Sequence, residues 1–284
     1  MKKGYNVFIS FDMEGISVVS SWREMKKDSK DLERVRRIAT QEVNAAIRGI
    51  RKSGKKTGEI TICDAHASGE NLHVDDLHPG VSVVKGTPRK YYMMQGISKE
   101  YDVVFFIGYH AMAGTQYAGM DHTYSSASIY NIKINGKYMG ESEINAALAG
   151  YYGVPVGLVT GDNMLIAEIR KFFGKDVETV ITKKGISRFA AQCRHPEDVR
   201  LEIETKAARA MQKIKKLKVF KFKSPVRTEI DLASSLITDM VELIPGIERT
   251  SGRHVLFKTK DILEFYRILR LVCTLGGYAN TVLT

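Results

Sequence analysis

Val7-Phe8-Ile9-Ser10-Phe11-Asp12-Met13-Glu14-Gly15 decides how the rest of the chain is read. Its β-branched and aromatic opening predicts a buried strand. Where that strand should stop it delivers two carboxylates, Asp12 and Glu14, and Gly15 then lets the chain turn sharply. In open α/β sheets, ligands gather at the carboxyl ends of strands. Acids at i and i+2 can both reach one site once the chain turns. A solvated pair of strand-end acids is the plain alternative, so the reading depends on what the other strand ends carry.

Working outward, residues 31–51 place Ile38, Val43, Ala46, Ile47 and Ile50 at near-helical spacing. A charged, turn-rich connection leads to a second strand over residues 59–63, which ends in Asp64-Ala65-His66. Strand, long helix, strand is a βαβ unit and implies parallel pairing. A short strand at 81–84 and a short helix at 91–95 follow. The continuous apolar run over 101–108 then predicts a fully buried strand, ending in Gly108-Tyr109-His110. Three strands thus finish in Asp-x-Glu, Asp-x-His and Gly-Tyr-His. A doubly wound sheet would bring those ends to one edge.

Residues 111–123, rich in Gly, Ala and Met, read as a loop or lid closing on Asp121-His122-Thr123. A strand at 129–134 meets the hairpin signal Asn135-Gly136, and after the return comes Glu141, then a helix over 142–152. A core strand at 154–159 ends in Gly161-Asp162-Asn163, read as a strand-to-helix cap. A helix at 165–173, a short strand at 177–181 and a long helix at 196–216 complete this part. Beyond it, Phe220 and Phe222 alternate with Lys221 and Lys223 as a half-buried strand would. A helix over 234–243, a strand over 255–258 and a helix capped by Asp261 and running to about 274 close the chain. The fold class expected is α/β: a three-layer, mostly parallel, doubly wound sheet with a smaller C-terminal α+β unit. The boundary is set at residues 1–216 and 217–284, with one compact domain as the alternative.

The chain of 284 residues is 44% hydrophobic and 26% charged, an ordinary balance for a soluble globular protein. No apolar run approaches the ~20 residues of a membrane span. Lys2 and Lys3 precede a short apolar run, but Asp12 interrupts it and no small-residue cleavage site follows, so a cytoplasmic protein is expected. Cys63, Cys193 and Cys273 are scattered and odd in number, as reduced thiols would be. The net charge of +11 raises nucleic acid, anionic lipid or acidic substrates as partners. Much of the excess lies in residues 213–223, at a helix end and on a strand face, where lysines serve the dipole and protect edges. Neither nucleic acid nor membrane is therefore expected as a partner.

Histidine is scarce, and His66 and His110 both fall at expected strand ends beside carboxylates. Imidazole with carboxylate is the ligand mix of zinc and other first-row divalent metals. One carboxylate shared by two ions is an established hydrolytic arrangement. Asp12, first after its strand, is the candidate bridge; Glu14, His66, His110 and Glu141 could complete two ion shells. Glu143 is a rival to Glu141, but it would project differently from a helix start. No contiguous zinc motif such as His-Glu-x-x-His is present, so hydrogen-bonded strand-end histidines remain the alternative on pattern alone.

These residues carry a resemblance. Ser10-Phe-Asp-Met-Glu-Gly-Ile16, Asp64-Ala-His66 with Asn71-Leu72, Gly108-Tyr-His-Ala111, Met120-Asp-His122, Ile134-Asn135 and Gly140-Glu141 occur in order. Asn145-Ala146, Ala149-Gly-Tyr-Tyr152, Val154-Pro155, Gly161-Asp162 and Ile186-Ser187-Arg188 extend the match across nearly the whole chain. Together they resemble the D-aminopeptidase family, first named for a dipeptide-transport operon. The resemblance implies a dinuclear zinc peptidase with Asp12, Glu14, His66, His110 and Glu141 as metal ligands, Asp12 bridging, and His122 as the catalytic histidine. It also implies two Zn2+ per subunit, with another first-row divalent metal as substitute, and a ring-like homo-oligomer such as a decamer. One departure is the loop between His110 and His122, a residue longer than the family pattern and without a proline, which bears on the substrate pocket.

The expected reaction is hydrolysis of short peptides with an N-terminal D-residue, such as D-Ala-containing di- and tripeptides, by a metal-activated water. His122 would act as acid/base or as an oxyanion donor. Asp64 is expected to orient His66, since ligand imidazoles commonly donate to a carboxylate. The alternatives are a dinuclear hydrolase of another class, such as a phosphoesterase, and a non-catalytic basic binding protein.

Overall fold

The computed structural model describes residues 4–282, so Lys2 and Lys3 lie outside the described residues. In chain order the elements are β1 (Tyr5–Phe11), α1 (Leu32–Lys52), β2 (Thr57–Asp64), β3 (Ser82–Val84), β4 (Val103–Tyr109), β5 (Ile129–Ile134), β6 (Lys137–Tyr138) and α2 (Glu141–Tyr151). They continue with β7 (Val156–Asp162), α3 (Asn163–Phe173), β8 (Glu178–Ser187), β9 (Ala190–Cys193) and α4 (Pro196–Lys213). The chain closes with β10 (Val226–Leu232), α5 (Ser235–Val241), β11 (Glu248–Arg249), β12 (His254–Thr259) and α6 (Ile262–Val282).

The main sheet runs β3-β2-β1-β4-β7-β8-β9, parallel throughout except for the last pair. Alternation along the central strands splits the core into two faces. Val7, Ile9 and Phe11 of β1 join Val103, Phe105 and Ile107 of β4 on the side covered by α1 and α4. Phe8 joins Val104 and Phe106 on the other side, beneath α2 and α6. The helix α1 fits this cover because Val35, Val43, Ile47 and Ile50 form one buried stripe, each worth about 1.5–3 kcal/mol. The α/β class and the doubly wound sheet expected from the pattern are present.

A second sheet, order β11-β12-β10-β5-β6, is antiparallel. It takes β5 and β6 from well before residue 216, and pairs β5 with β10 from beyond it. The strand expected over 218–223 is not formed, and the ladder starts at Val226. Alternation itself is as read: Phe220 and Phe222 are half-buried while Lys221 and Lys223 are exposed. However, the segment crosses α2, where the Phe220 carbonyl sits so close to Gly150 that a Cβ there would lie 1.8 Å away. Packing across a helix, not strand pairing, accounts for the alternation. The last helix also runs beyond 274, through Gly276. That glycine is required because Ser128 Oγ would lie 2.6 Å from a Cβ. No helix of the described residues is long and apolar enough to cross a membrane.

Gly15 serves the fold differently from the expectation. Its conformation is ordinary; what it permits is close approach, since a Cβ would stand 1.9 Å from the Tyr109 carbonyl oxygen. Gly15 N–H donates to the Gly108 carbonyl at 2.7 Å, and Asp12 N–H to the Ile107 carbonyl at 2.8 Å. The turn after β1 is thereby strapped to the end of β4.

Candidate metal centre

The strand order places β2, β1 and β4 side by side, so their carboxyl ends bring His66, Asp12, Glu14 and His110 to one edge. Across from them, the first residue of α2 supplies Glu141. His66 Nδ1 lies 2.9 Å from Glu14 Oε2 and 3.3 Å from Asp12 Oδ1. His110 Nε2 lies 3.5 Å from Asp12 Oδ2 and 3.3 Å from Glu141 Oε1. Each oxygen of Asp12 therefore faces a different histidine. His122, from the loop after β4, puts Nε2 3.7 Å from Glu141 Oε1 and 4.0 Å from Glu14 Oε1. Its ring stacks on that of His110 with centres 4.0 Å apart. The six residues the sequence singled out are all in this one cluster.

The tautomers follow from backbone carbonyls, which only accept. His110 Nδ1 lies 3.0 Å from the Ala111 carbonyl oxygen, and His122 Nδ1 lies 2.9 Å from that of Met120. Each Nδ1 therefore carries the proton in the neutral ring, and each Nε2 turns a lone pair toward the carboxylates. Asp12 Oδ2 and His110 Nε2 are buried with no hydrogen-bond partner among the described residues. Two acceptors facing one another at this depth call for a proton or a cation between them. The donor set of imidazole nitrogens and carboxylate oxygens suits a first-row divalent cation. The candidate ligand atoms of Asp12, Glu14 and His110 lie within 4.8 Å of one another, and so do those of His110, His122 and Glu141.

Electrostatics point the same way. Burial, then repulsion from Glu14, pushes the Asp12 carboxyl up to about 7 despite the hydrogen bond of His66. Burial also opposes charge on Glu14, but His66 outweighs it and holds the carboxyl well below its usual range. Burial works against protonation of His66 and His110; Glu14 beside the first and Glu141 beside the second nonetheless raise both well above an ordinary histidine. His122 shifts the other way, downward, through burial and the neighbouring His110.

The rival acid is turned away. Glu143 Oε2 accepts the Gly140 N–H at 2.8 Å, capping the same helix whose first residue reaches the cluster. The Tyr124 N–H, in turn, donates to Glu141 Oε1 at 2.6 Å. Asp64 does not orient the His66 ring as expected. Its Oδ2 accepts the Asn71 and Leu72 N–H groups at 2.6 and 2.9 Å, and Oδ1 accepts Asn71 Nδ2 at 2.7 Å. It shapes the backbone that carries His66, and Asn71 Nδ2 completes this by donating to the His66 carbonyl at 2.8 Å.

Several contributors had no local signal. Lys183 of β8 is 1% exposed, and its ammonium donates to the carbonyls of Glu14, Ile16 and Val19. Arg89, 6% exposed, donates to the carbonyls of Asp64, Ala65 and Ala67 on either side of His66. Trp22 Nε1 donates to Glu14 Oε1 at 3.1 Å. Being the chain's single tryptophan was its one available clue. Beneath the cluster, Asn145 Nδ2 donates to Tyr109 Oη at 2.8 Å, and its Oδ1 accepts from Tyr124 and Tyr266, tying β4, α2 and α6 together. Above it opens a cavity of about 320 Å³ lined by Trp22, Ala65, Ala67, Met93, Tyr124 and Ala127 beside the acids and histidines.

The chain was compared with known proteins. The family profile described as D-aminopeptidase matches residues 5–271. The D-aminopeptidase of Bacillus subtilis (strain 168) is 31% identical over 271 residues, covering 95% of this chain and 97% of that protein. The solved structure of the Zn-dependent D-aminopeptidase DppA from Bacillus subtilis, described as a self-compartmentalizing protease, is similar with a TM-score of 0.91. That likeness covers 96% of this chain and 98% of the other at 31% identity.

Proposed function

The chain belongs to the D-aminopeptidase family, and we propose that it is a zinc-dependent aminopeptidase hydrolysing short peptides with an N-terminal D-residue, D-alanyl di- and tripeptides among them. The observation that carries this reading is the opposed pair of buried acceptors, Asp12 Oδ2 and His110 Nε2, inside a ring of further carboxylates and imidazoles. Asp12, Glu14, His66, His110 and Glu141 would hold two cations, and each oxygen of Asp12 faces a separate histidine. When bound, such a pair supplies a water that ionises near neutral pH and positive charge for the carbonyl oxygen.

The chain's own residues supply the rest. His122 holds its Nε2 lone pair toward the cluster, and burial beside His110 favours the neutral ring. It is thus ready to take a proton from the attacking water and return it to the leaving amine. A carboxylate at the cavity floor would orient the free amine of the peptide by accepting a hydrogen bond from it. Ala65, Ala67 and Ala127 leave room for a small side chain such as a methyl group. The D-preference rests on family membership. By analogy with the self-compartmentalizing relative, this chain would form a ring-like homo-oligomer, which light scattering reads directly.

The test is a panel of D- and L-alanyl peptides and a D-alanyl p-nitroanilide, assayed after chelation and after zinc reconstitution. Turnover of D-peptides that disappears with chelator and returns with zinc is expected, at about two zinc ions per chain. Phosphoester hydrolysis without peptide hydrolysis would overturn the reading.

A further inference from the structure

On the far side of His122 lies a second cavity of about 240 Å³, lined by Ala113, Asp121, Ser126, Tyr130 and Arg188 among others. His122 and Ser126 line both it and the cavity over the acids, so the two adjoin at those residues. Arg188 sits at the tip of the β8–β9 hairpin with its side chain 48% exposed. Although exposed, it is held on several sides. Its Nε lies 3.3 Å from Asp121 Oδ1, and Nη2 donates to the Asp121 carbonyl at 3.0 Å. The guanidinium carbon stands 5.3 Å from the centre of the Trp22 ring and 5.8 Å from that of Phe189. The Arg188 carbonyl accepts the Met120 N–H at 2.7 Å, which fixes the hairpin tip to the loop carrying His122.

We propose that Arg188 anchors the C-terminal carboxylate of the peptide, and that this contact confines the enzyme to substrates of about two or three residues. The proposal rests on the peptidase reading above. Arginine's planar fork matches a carboxylate, and a guanidinium already stacked and bonded surrenders little freedom when one arrives. Asp121 engages Nε and one Nη2 hydrogen, so the end of the guanidinium that carries Nη1 remains for an incoming carboxylate. Once cations occupy the acids, Asp12, Glu14 and Glu141 no longer repel a carboxylate, so the direction of a bound peptide rests on Arg188, which draws the C-terminus to the end of the cleft away from them.

Distance sets the length. The Trp22 ring centre lies 5.5 Å from that of His122 and 5.3 Å from the Arg188 guanidinium carbon. His122 and the guanidinium are therefore at most about 11 Å apart, and extended chain spans about 3.3–3.6 Å per residue. For a scissile carbonyl beside His122, one or two further residues plus a hydrogen bond are the most that such a separation admits.

The test compares D-Ala-D-Ala with its C-terminal amide, using the zinc-loaded protein and its Arg188→Gln and Arg188→Lys variants, with zinc content measured for each. The unaltered protein is expected to favour the free acid by about 10- to 100-fold in kcat/KM, the scale of a charge-assisted contact. In Arg188→Gln the ratio of acid to amide falls toward one, mainly through KM, and Arg188→Lys recovers part of it. A displaced His122 would instead lower kcat on both compounds. Equal hydrolysis of acid and amide by the unaltered protein overturns the anchor even if neither variant folds. Equal losses on both compounds in Arg188→Gln also overturn it. Hydrolysis of neither compound by the unaltered protein overturns the activity and the anchor together, whereas the other two outcomes leave the activity standing.

Discussion

The floor of the cleft and its rim are held in different ways. At the floor, the loops after β1 and β2 are each fixed by a buried cation, Lys183 for the first and Arg89 for the second, donating to successive backbone carbonyls. Asp12, Glu14 and His110 are all nearly inaccessible there. At the rim, His122, Trp22 and Arg188 meet through ring edges, a half-exposed ion pair and single backbone bonds to a projecting hairpin. A cluster of like charges must be over-determined by its surroundings, because the acids repel until a cation or proton arrives. A surface that admits a peptide must instead leave groups unspent. The contrast separates what holds cations from what handles substrate.

The severest test of that separation is His110→Ala against His122→Ala. Removing His110 is expected to abolish metal loading and turnover together. Removing His122 should leave zinc content unchanged while kcat falls by about 10²–10⁴, the range of general acid–base catalysis. Zinc loss in His122→Ala, read by elemental analysis, would move His122 from the rim to the floor, as its distance from Glu141 also permits.

Next in size is Lys183→Met. The substitution keeps the apolar stem and removes the donor, orphaning carbonyls at about 1–3 kcal/mol each. Thermal melts of the chelated protein should show a loss of roughly 3 kcal/mol or more, and zinc titration a weaker affinity. An unchanged melt would mean the floor does not depend on its buried cation.

The mildest substitution lies where the rim loop meets α3. Glu168 accepts the Met112 N–H at 3.1 Å and the Thr115 hydroxyl at 2.5 Å. Burial, then Glu143 nearby, pushes its carboxyl up to about 8. A carboxyl raised in the folded state binds its proton more tightly folded than unfolded. Its contribution is thus fully present below its unfolded value near 4.5 and is lost as pH rises through about 8. The slope is at most about 1.4 kcal/mol per pH unit. Glu168→Gln can keep both bonds, since a hydroxyl accepts as well as donates, and should flatten this fall in melts between pH 5 and about 8. An unaltered pH profile would clear Glu168 of the role.

Much of the floor was legible in the chain because its signals are local. Apolar runs mark β1, β2 and β4, and the polar residues after each run mark where the strands stop. Parallel pairing then brings Asp12, Glu14, His66 and His110 to one edge without further information. The helix start also favoured Glu141 over Glu143, and in the structure Glu141 faces His110 while Glu143 caps the helix. What failed was local pattern with more than one cause. The Phe–Lys alternation over 218–223 comes from crossing a helix, and the last helix continues past 274 with Gly276 packed closely against Ser128.

By itself, then, the sequence determined the central strands and which of their ends carry acids and imidazoles, since side-chain period and strand termination are properties of short segments. Tertiary structure alone decided that Lys183, far along the chain, secures the Glu14 turn, that Asp64 shapes a loop and not an imidazole, and that β5 pairs with β10. It also set Arg188 beside Trp22 across the mouth of the cleft. The Asp64 contacts are local, but the others join residues far apart in the chain, 169 positions for Lys183 and Glu14, and no period or cap within a segment encodes which distant partner will neutralise a buried group.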